Sequence, residues 1–237
     1  METIAERLKS VQITVKQSTL DAHRPSNAVK LLAVSKTKPV SDIVQAYKAG
    51  QRLFGENYVQ EGVEKIQALQ TLDDIEWHFI GPLQSNKTRL VAEHFDWVQT
   101  IDRLKIAQRL NDQISSNKTI NVCIQVNIDG DENKAGISAD KLNDFAKAIV
   151  QLPNLILRGL MTIPKVNQSQ AEQAASFAQM ALLFEDLKEH YSSVDTLSMG
   201  MSTDMQNAIN HSSTMVRVGT AIFGSRDFGS RDFGSRN

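Results

Sequence analysis

The sequence has one cysteine, five prolines and no long apolar run, and each shortage excludes a class of protein. A single cysteine cannot form a disulfide within the chain, which excludes disulfide-stapled extracellular folds and predicts a reducing cytoplasm. The apolar runs are too short to span a membrane, and residues 1–10 lack the apolar centre of a signal peptide. Cys123 lies inside an apolar run, which predicts a buried and unreactive thiol.

An excess of charge of one sign is also missing. The 26 basic and 27 acidic residues leave a formal charge of -1, so the chain has no general attraction for polyanions. We therefore predict no nucleic-acid partner, and no metal site is predicted either. At 237 residues the chain suits one large α/β domain or two small ones.

The hydrophobic pattern alternates between strand-like runs and segments of helical spacing, after an amphipathic helix at residues 3–20. Eight strands are predicted, at residues 31–36, 52–57, 75–81, 97–100, 120–128, 155–161, 196–199 and 214–218. Helical segments are predicted between them, at residues 41–50, 58–69, 87–92, 103–114, 138–150, 170–190 and 203–209. In the first of these, Ser41 is the expected cap.

Eight βα units without a linker predict a single closed (β/α)₈ TIM barrel with an extra N-terminal helix. An open sheet of that width would leave long unprotected edges. The predicted domain covers residues 1–224, and residues 225–237, which repeat FGSR, are predicted to form a disordered tail. The alternative is a doubly wound open sheet, in which a weak strand such as residues 97–100 is a loop.

Active sites in barrels lie at the C-terminal ends of the strands, so the residues that end strands are the candidates. These are Lys36, Asn57, His78, Met161, Ser198, Met199 and Arg217. Phosphate sites recur in the loops after strands seven and eight, which here contain Ser202, Gly219 and Thr220. Glycine lets backbone N–H groups approach an anion, and the hydroxyls add donors.

Lys36 follows an apolar strand and is therefore expected to be poorly solvated. Desolvation lowers the pKa of a lysine and makes its amine a better nucleophile toward an aldehyde. An aldehyde that reacts with lysine and carries a phosphate is pyridoxal phosphate. The alternative is a strand-end lysine whose amine reaches out to water.

Six motifs carry a more specific resemblance. They are VSKT at residues 34–37, FGENY at 54–58, WHFIGPLQSNK at 77–87, GLMT at 159–162, SMGMS at 198–202 and VRVGTAIFG at 216–224. In this order, from about residue 31 to residue 224, they resemble the pyridoxal phosphate homeostasis protein family.

The resemblance implies one barrel like the N-terminal domain of bacterial alanine racemase, with pyridoxal 5'-phosphate held as a Schiff base on Lys36. It places Arg217 opposite the pyridine nitrogen, and makes Asn57 and His78 candidate partners of the phenolic oxygen. It also implies a cytoplasmic carrier or regulator of the cofactor without established turnover, with apo forms of pyridoxal-phosphate enzymes as recipients. A monomer is expected because the second domain of the racemases is lacking.

Two other functions remain open from the sequence. One is a pyridoxal-phosphate-dependent amino-acid racemase with a reduced site, and the other is a cofactor-free class I aldolase that uses Lys36. Racemases of the alanine type add a β-rich domain and a tyrosine from a partner subunit, whereas only Tyr58 lies near a strand end here. No complete two-base site is therefore predicted. Lys38 and Lys134 are expected to be solvated loop lysines, the latter within reach of the site.

Overall fold

Eight parallel strands close into a barrel in the computed structural model, which describes residues 2–115, 117–165 and 168–225. The strands pair in chain order, and the eighth pairs with the first. They are β1 (Lys30–Val34), β2 (Leu53–Glu56), β3 (Glu76–Phe79), β4 (Trp97–Ile101), β5 (Ile120–Gln125), β6 (Leu155–Met161), β7 (Thr196–Ser198) and β8 (Met215–Val218). The predicted TIM barrel is confirmed, and the open-sheet alternative is wrong.

The helices lie outside the barrel, in alternation with the strands. They are α1 (Ile4–Asp21), α2 (Val40–Lys48), α3 (Val59–Ala68), α4 (Thr88–His94), α5 (Leu104–Gln113), α6 (Leu142–Ile149), α7 (Gln170–His190), α8 (Met205–Asn210) and α9 (Thr220–Phe223), with 3₁₀ turns at Ser85–Lys87 and Ala139–Lys141. The extra helix α1 starts with a capping box formed by Thr3 and Glu6, and it packs against α2, α8 and α9. No helix within the described ranges is both long and apolar enough to cross a membrane.

Several boundaries differ from the prediction, and strand β1 ends at Val34, two residues before Lys36. Helix α2 begins at Val40 with Pro39 as its N-cap, so Ser41 lies inside the first turn instead of capping it. Strand β5 ends at Gln125, because the chain then leaves the barrel and Val126 forms only an isolated bridge. Helix α9 was not predicted, since four residues are too few to show helical periodicity. The predicted tail lies outside the described residues from residue 226 onward.

The pleat of the strands divides their side chains between two apolar regions. Leu32, Ile80 and Met215 pack together inside the barrel, and Trp97, Cys123 and Met161 form a second interior group. The larger core fills the layer between the barrel and the helices. Burial raises the pKa of the Cys123 thiol, in keeping with the predicted unreactive cysteine.

Candidate functional site

Lys36 lies just beyond the C-terminal end of β1, where the chain turns toward α2. It lines a cleft with Thr37 on its own loop and with Gly219 and Thr220 from the loop after β8. The two loops meet because β1 and β8 are neighbours in the barrel. The structure thus brings together three of the residues that the sequence predicted for one site.

Gly219 allows the β8 loop to lie directly against the end of β1. A Cβ atom at this position would come 3.1 Å from the carbonyl oxygen of Val34, which is closer than nearly all real Cβ contacts. A larger residue would require the loop or the strand end to shift by a few tenths of an ångström. Glycine therefore favours the close approach of the two segments.

Arg217 lies on the inward face of β8 and is almost completely buried. Its Nη1 donates a hydrogen bond of 2.7 Å to Ser198 Oγ, and its Nη2 donates one of 2.9 Å to the carbonyl oxygen of Thr162. Burial lowers the pKa of Arg217 to about 10, although the carboxylate of Asp204 acts in the opposite direction. The guanidinium is therefore a fixed cation at neutral pH. Met161 is the strand partner of Ser198 on the same face.

A chain of hydrogen bonds continues from Ser198 through the barrel interior. Ser198 Oγ donates to Gln99 Oε1 at 2.6 Å, and Gln99 Nε2 donates to His78 Nδ1 at 2.9 Å. His78 Nε2 then donates to Glu76 Oε1 at 2.9 Å. Because the guanidinium of Arg217 has no acceptor, every donor in this series points toward Glu76. We refer to these five side chains as the interior relay.

His78 is a neutral member of the relay. Burial lowers its pKa, and the neighbouring Glu76 carboxylate only partly offsets that effect. The sequence placed His78 at the site because it lies near the end of a strand. In the structure its side chain instead points toward Glu76, the first residue of β3, and stacks on Trp97 with 4.9 Å between the ring centroids. Both ring nitrogens have protein partners, and His78 is connected to Arg217 only through Gln99 and Ser198.

Gln99 was missed by reasoning from the sequence. It is completely buried in the middle of β4, with Val98 beside it in the outer core. A buried amide costs free energy unless its hydrogen bonds are satisfied, so an amide side chain in the middle of a short buried strand is the signal that identifies it.

The remaining predicted residues lie around the cleft in different ways. The Met199 side chain belongs to the outer core, so only its backbone faces the loop region. Ser202 is exposed and lines a separate groove beside Arg7 and Thr14 of α1. Asn57 follows β2, and its Oδ1 is buried without a hydrogen-bond partner among the residues that the structure describes.

Lys38 and Lys134 are half-exposed loop lysines, and each also donates to backbone carbonyl oxygens, which the sequence did not predict. Lys38 Nζ donates to the carbonyl oxygen of Ser225 at 2.7 Å. Lys134 Nζ donates to the carbonyl oxygens of Ile163 and Pro164, at 3.2 and 2.5 Å. Lys134 therefore ties the loop after β5 to the loop after β6, a contact between distant segments that no local pattern reveals.

Comparison with known proteins identifies the family. Residues 13–227 match the model of the alanine racemase N-terminal domain. A pyridoxal phosphate homeostasis protein from Pasteurella multocida is 58% identical over 229 residues, which are 95% of this chain and 98% of that relative. The chain belongs to the pyridoxal phosphate homeostasis protein family. The member from Escherichia coli K12 is 54% identical over 230 residues, covering 96% of this chain and 98% of its own length.

Solved structures agree with this membership. PipY from Synechococcus elongatus, determined with pyridoxal phosphate bound, matches with a TM-score of 0.80 and 38% identity over 94% of this chain and 100% of its own. Alanine racemase from Corynebacterium glutamicum matches with a TM-score of 0.70 and 16% identity, over 93% of this chain and 62% of the racemase. At that identity the racemase shows a shared fold alone. The predicted family and barrel type are both confirmed.

Proposed function

We propose that this protein binds pyridoxal phosphate covalently through Lys36 and maintains the cofactor supply as a carrier without turnover. The observation that carries the proposal is the single cleft lined by Lys36, Gly219 and Thr220. The names of the relatives and the cofactor bound to PipY support it.

The residues of this chain fit the cofactor. Lys36 supplies an amine, Gly219 an unobstructed backbone, and Thr220 a hydroxyl for the phosphate. The buried Oδ1 of Asn57 is an acceptor without a partner in the described chain, and a polar ligand would satisfy it. When bound, pyridoxal phosphate supplies an aldehyde that condenses with a lysine amine and releases water.

The other predicted contacts complete the proposed site. Arg217 presents a charged donor from the barrel interior, and Ser198 holds that guanidinium in place. Met161 pairs with Ser198 on the inner face and His78 acts at a distance through Gln99, whereas the Met199 side chain lies in the outer core and Ser202 lines a separate groove. We assign no direct chemical step to these residues.

The carrier role follows from the groups that face the cofactor. A guanidinium cannot readily give up its proton, so Arg217 leaves a facing pyridine nitrogen unprotonated and the ring a weak electron sink. A racemase compensates with one base on each face of the ring. Of the three tyrosines, Tyr47 and Tyr191 lie near the ends of the helices that lead back to the N-terminal side of the barrel. Tyr58 follows β2 at the C-terminal end of the barrel, where the site lies, but its side chain is 55% exposed, so we do not assign it as the second base.

Covalent attachment is tested by borohydride reduction of the protein incubated with pyridoxal phosphate. Wild type should develop a visible absorption band, and reduction should fix the cofactor's mass on the peptide that contains Lys36. Lys36→Ala should show neither result, while Lys38→Ala, a neighbouring lysine bonded to Ser225, serves as the matched control. A label found mainly on another lysine would refute the assignment.

The carrier role is tested with L-alanine in deuterated water. Negligible exchange at Cα and negligible D-alanine are expected from the loaded wild type. Sustained racemisation that is lost in Lys36→Ala would establish a racemase, and a protein that never forms the visible band but reacts with a sugar-phosphate carbonyl would establish an aldolase. We further propose a cytoplasmic monomer with apo pyridoxal-phosphate enzymes as recipients. Light scattering tests the monomer, and transfer of the cofactor to an apo enzyme tests the recipients.

A further inference from the structure

The backbone that follows Lys36 is held in an unfavourable conformation. Thr37 has a φ of 61°, in the left-handed region. A β-branched residue seldom adopts this region, because its side chain crowds the backbone. Such a conformation persists only where neighbouring groups enforce it, and it occurs often at functional sites. The Lys38 N–H closes the turn by donating to the Ser35 carbonyl oxygen at 3.1 Å, and two side chains on α3 hold the turn from outside.

Glu61 holds the strained residue directly. The backbone N–H of Thr37 donates to Glu61 Oε1 at 2.6 Å. The same oxygen accepts a hydrogen bond of 2.6 Å from Lys65 Nζ, four residues further along α3. A charged acceptor gives a stronger hydrogen bond than a neutral one. Glu61 therefore connects the turn after Lys36 to the ammonium of Lys65.

Lys65 also holds the residue on the other side of Lys36. Its Nζ donates to the carbonyl oxygen of Ser35 at 2.7 Å and to Glu56 Oε1 at 2.8 Å. Ser35 Oγ donates to the same Glu56 oxygen at 2.6 Å. All three protons of the ammonium are thereby used. We refer to Glu56, Glu61 and Lys65 as the α3 clamp.

The clamp buries charged side chains between a helix and the barrel, which costs desolvation free energy. Glu56 is completely buried, and burial raises its pKa although Lys65 acts against that shift. Its second oxygen, Oε2, has no partner within residues 2–115, 117–165 and 168–225. Apolar side chains of similar size often stabilise such a position as well as a buried ion pair does. Stability alone therefore does not explain why three charged groups converge on this turn.

We infer that Glu61 and Lys65 are positioning residues that fix the backbone on both sides of Lys36 and so direct its amine into the cleft. The Ser35 hydroxyl bonds Glu56 on the side where α3 packs, whereas Lys36, in the turn that follows β1, lines the cleft. The clamp acts on the outward face and leaves the inward face open for a ligand. The inference rests on the proposed function for the identity of that ligand.

The test compares Glu61→Met with Glu185→Met, a matched control that removes an exposed helix pair with Lys188 on α7. Glu61→Met should weaken covalent binding of pyridoxal phosphate by about tenfold, which corresponds to one hydrogen bond to a charged group. It should also speed hydrogen exchange at the Thr37 amide. Glu61→Gln, which keeps an acceptor oxygen, should recover part of the affinity, and Glu185→Met should behave as wild type.

A double-mutant cycle separates positioning from general stability. Glycine adopts a positive φ without strain, so in the Thr37→Gly background Glu61→Met should weaken binding by less than about threefold. An equal loss in both backgrounds would overturn the inference, as would wild-type affinity and wild-type Thr37 exchange in Glu61→Met. If wild type never reacts with pyridoxal phosphate, the proposed function fails, and the Thr37 exchange rates of the apo proteins still decide whether the clamp exists.

Discussion

Replacing Gln99 by leucine breaks the interior relay at its centre. Leucine has a similar volume, so the substitution removes hydrogen bonds without opening a large cavity. It leaves Ser198 Oγ without its acceptor and His78 Nδ1 without its donor, both in the fully buried part of the barrel. Water cannot readily satisfy groups at that depth, so each is expected to carry an energetic penalty.

The size of the effect follows from those two groups. A buried polar group left without a partner costs about 1–3 kcal/mol, which gives a total of roughly 2–6 kcal/mol for the pair. The extra apolar surface that leucine buries stabilises the folded protein by about 1 kcal/mol and offsets part of this penalty. We therefore expect the free energy of unfolding of Gln99→Leu to fall by about 1–5 kcal/mol, a substantial share of the ~5–15 kcal/mol of a typical domain.

Urea unfolding of the apo protein measures this change directly. His78→Phe is the partner variant, since phenylalanine keeps the aromatic stacking on Trp97 and removes the ring nitrogens. Because the double variant has no unsatisfied imidazole, its loss should be smaller than the sum of the two single losses by about 1 kcal/mol. A loss below about 1 kcal/mol for Gln99→Leu, or strict additivity, would show that the relay is not a connected network.

Two further predictions concern pH and the phosphate. Burial lowers the pKa of native His78, so the unfolded chain takes up its proton first as the pH falls below about 6.5. The free energy of unfolding should therefore fall more steeply with decreasing pH in wild type than in His78→Phe, by up to about 1.4 kcal/mol per pH unit. Urea unfolding at a series of pH values measures both slopes, and equal slopes would refute this. Thr220→Ala should weaken binding of pyridoxal phosphate by about tenfold and of pyridoxal much less, since only the former offers a charged acceptor to the hydroxyl. Ser202→Ala, in the neighbouring groove, should have a smaller effect, and equal losses for both vitamers would place Thr220 away from the phosphate.

The outline of the site was predictable because the topology determines it. Once alternating apolar runs indicate eight parallel strands, the ends of β1 and β8 must be neighbours, which places Lys36 beside Gly219 and Thr220. The direction of a side chain is harder to predict from the sequence. His78 lies near the end of its strand, yet its ring lies between Glu76 and Gln99, because those side chains bond its two nitrogens.

The α3 clamp could not have been predicted in this way. Glu61 and Lys65 are spaced four residues apart, which on a sequence is typical of a solvated ion pair on the outer face of a helix. Only the packing of α3 against the β1 end shows that Lys65 is buried and bonded to Ser35. The positive φ of Thr37 likewise leaves no trace in the sequence, since threonine is not a residue that predicts it.

The clamp and the relay act on opposite faces of the barrel wall. The clamp holds the β1 turn from the outer layer, where Ser35 points, and the relay holds Arg217 from within the barrel. Their described hydrogen bonds share no residue, so a single buried network does not have to satisfy both requirements at once. A cofactor attached at Lys36 and facing Arg217 would thus be positioned at its two ends by independent devices.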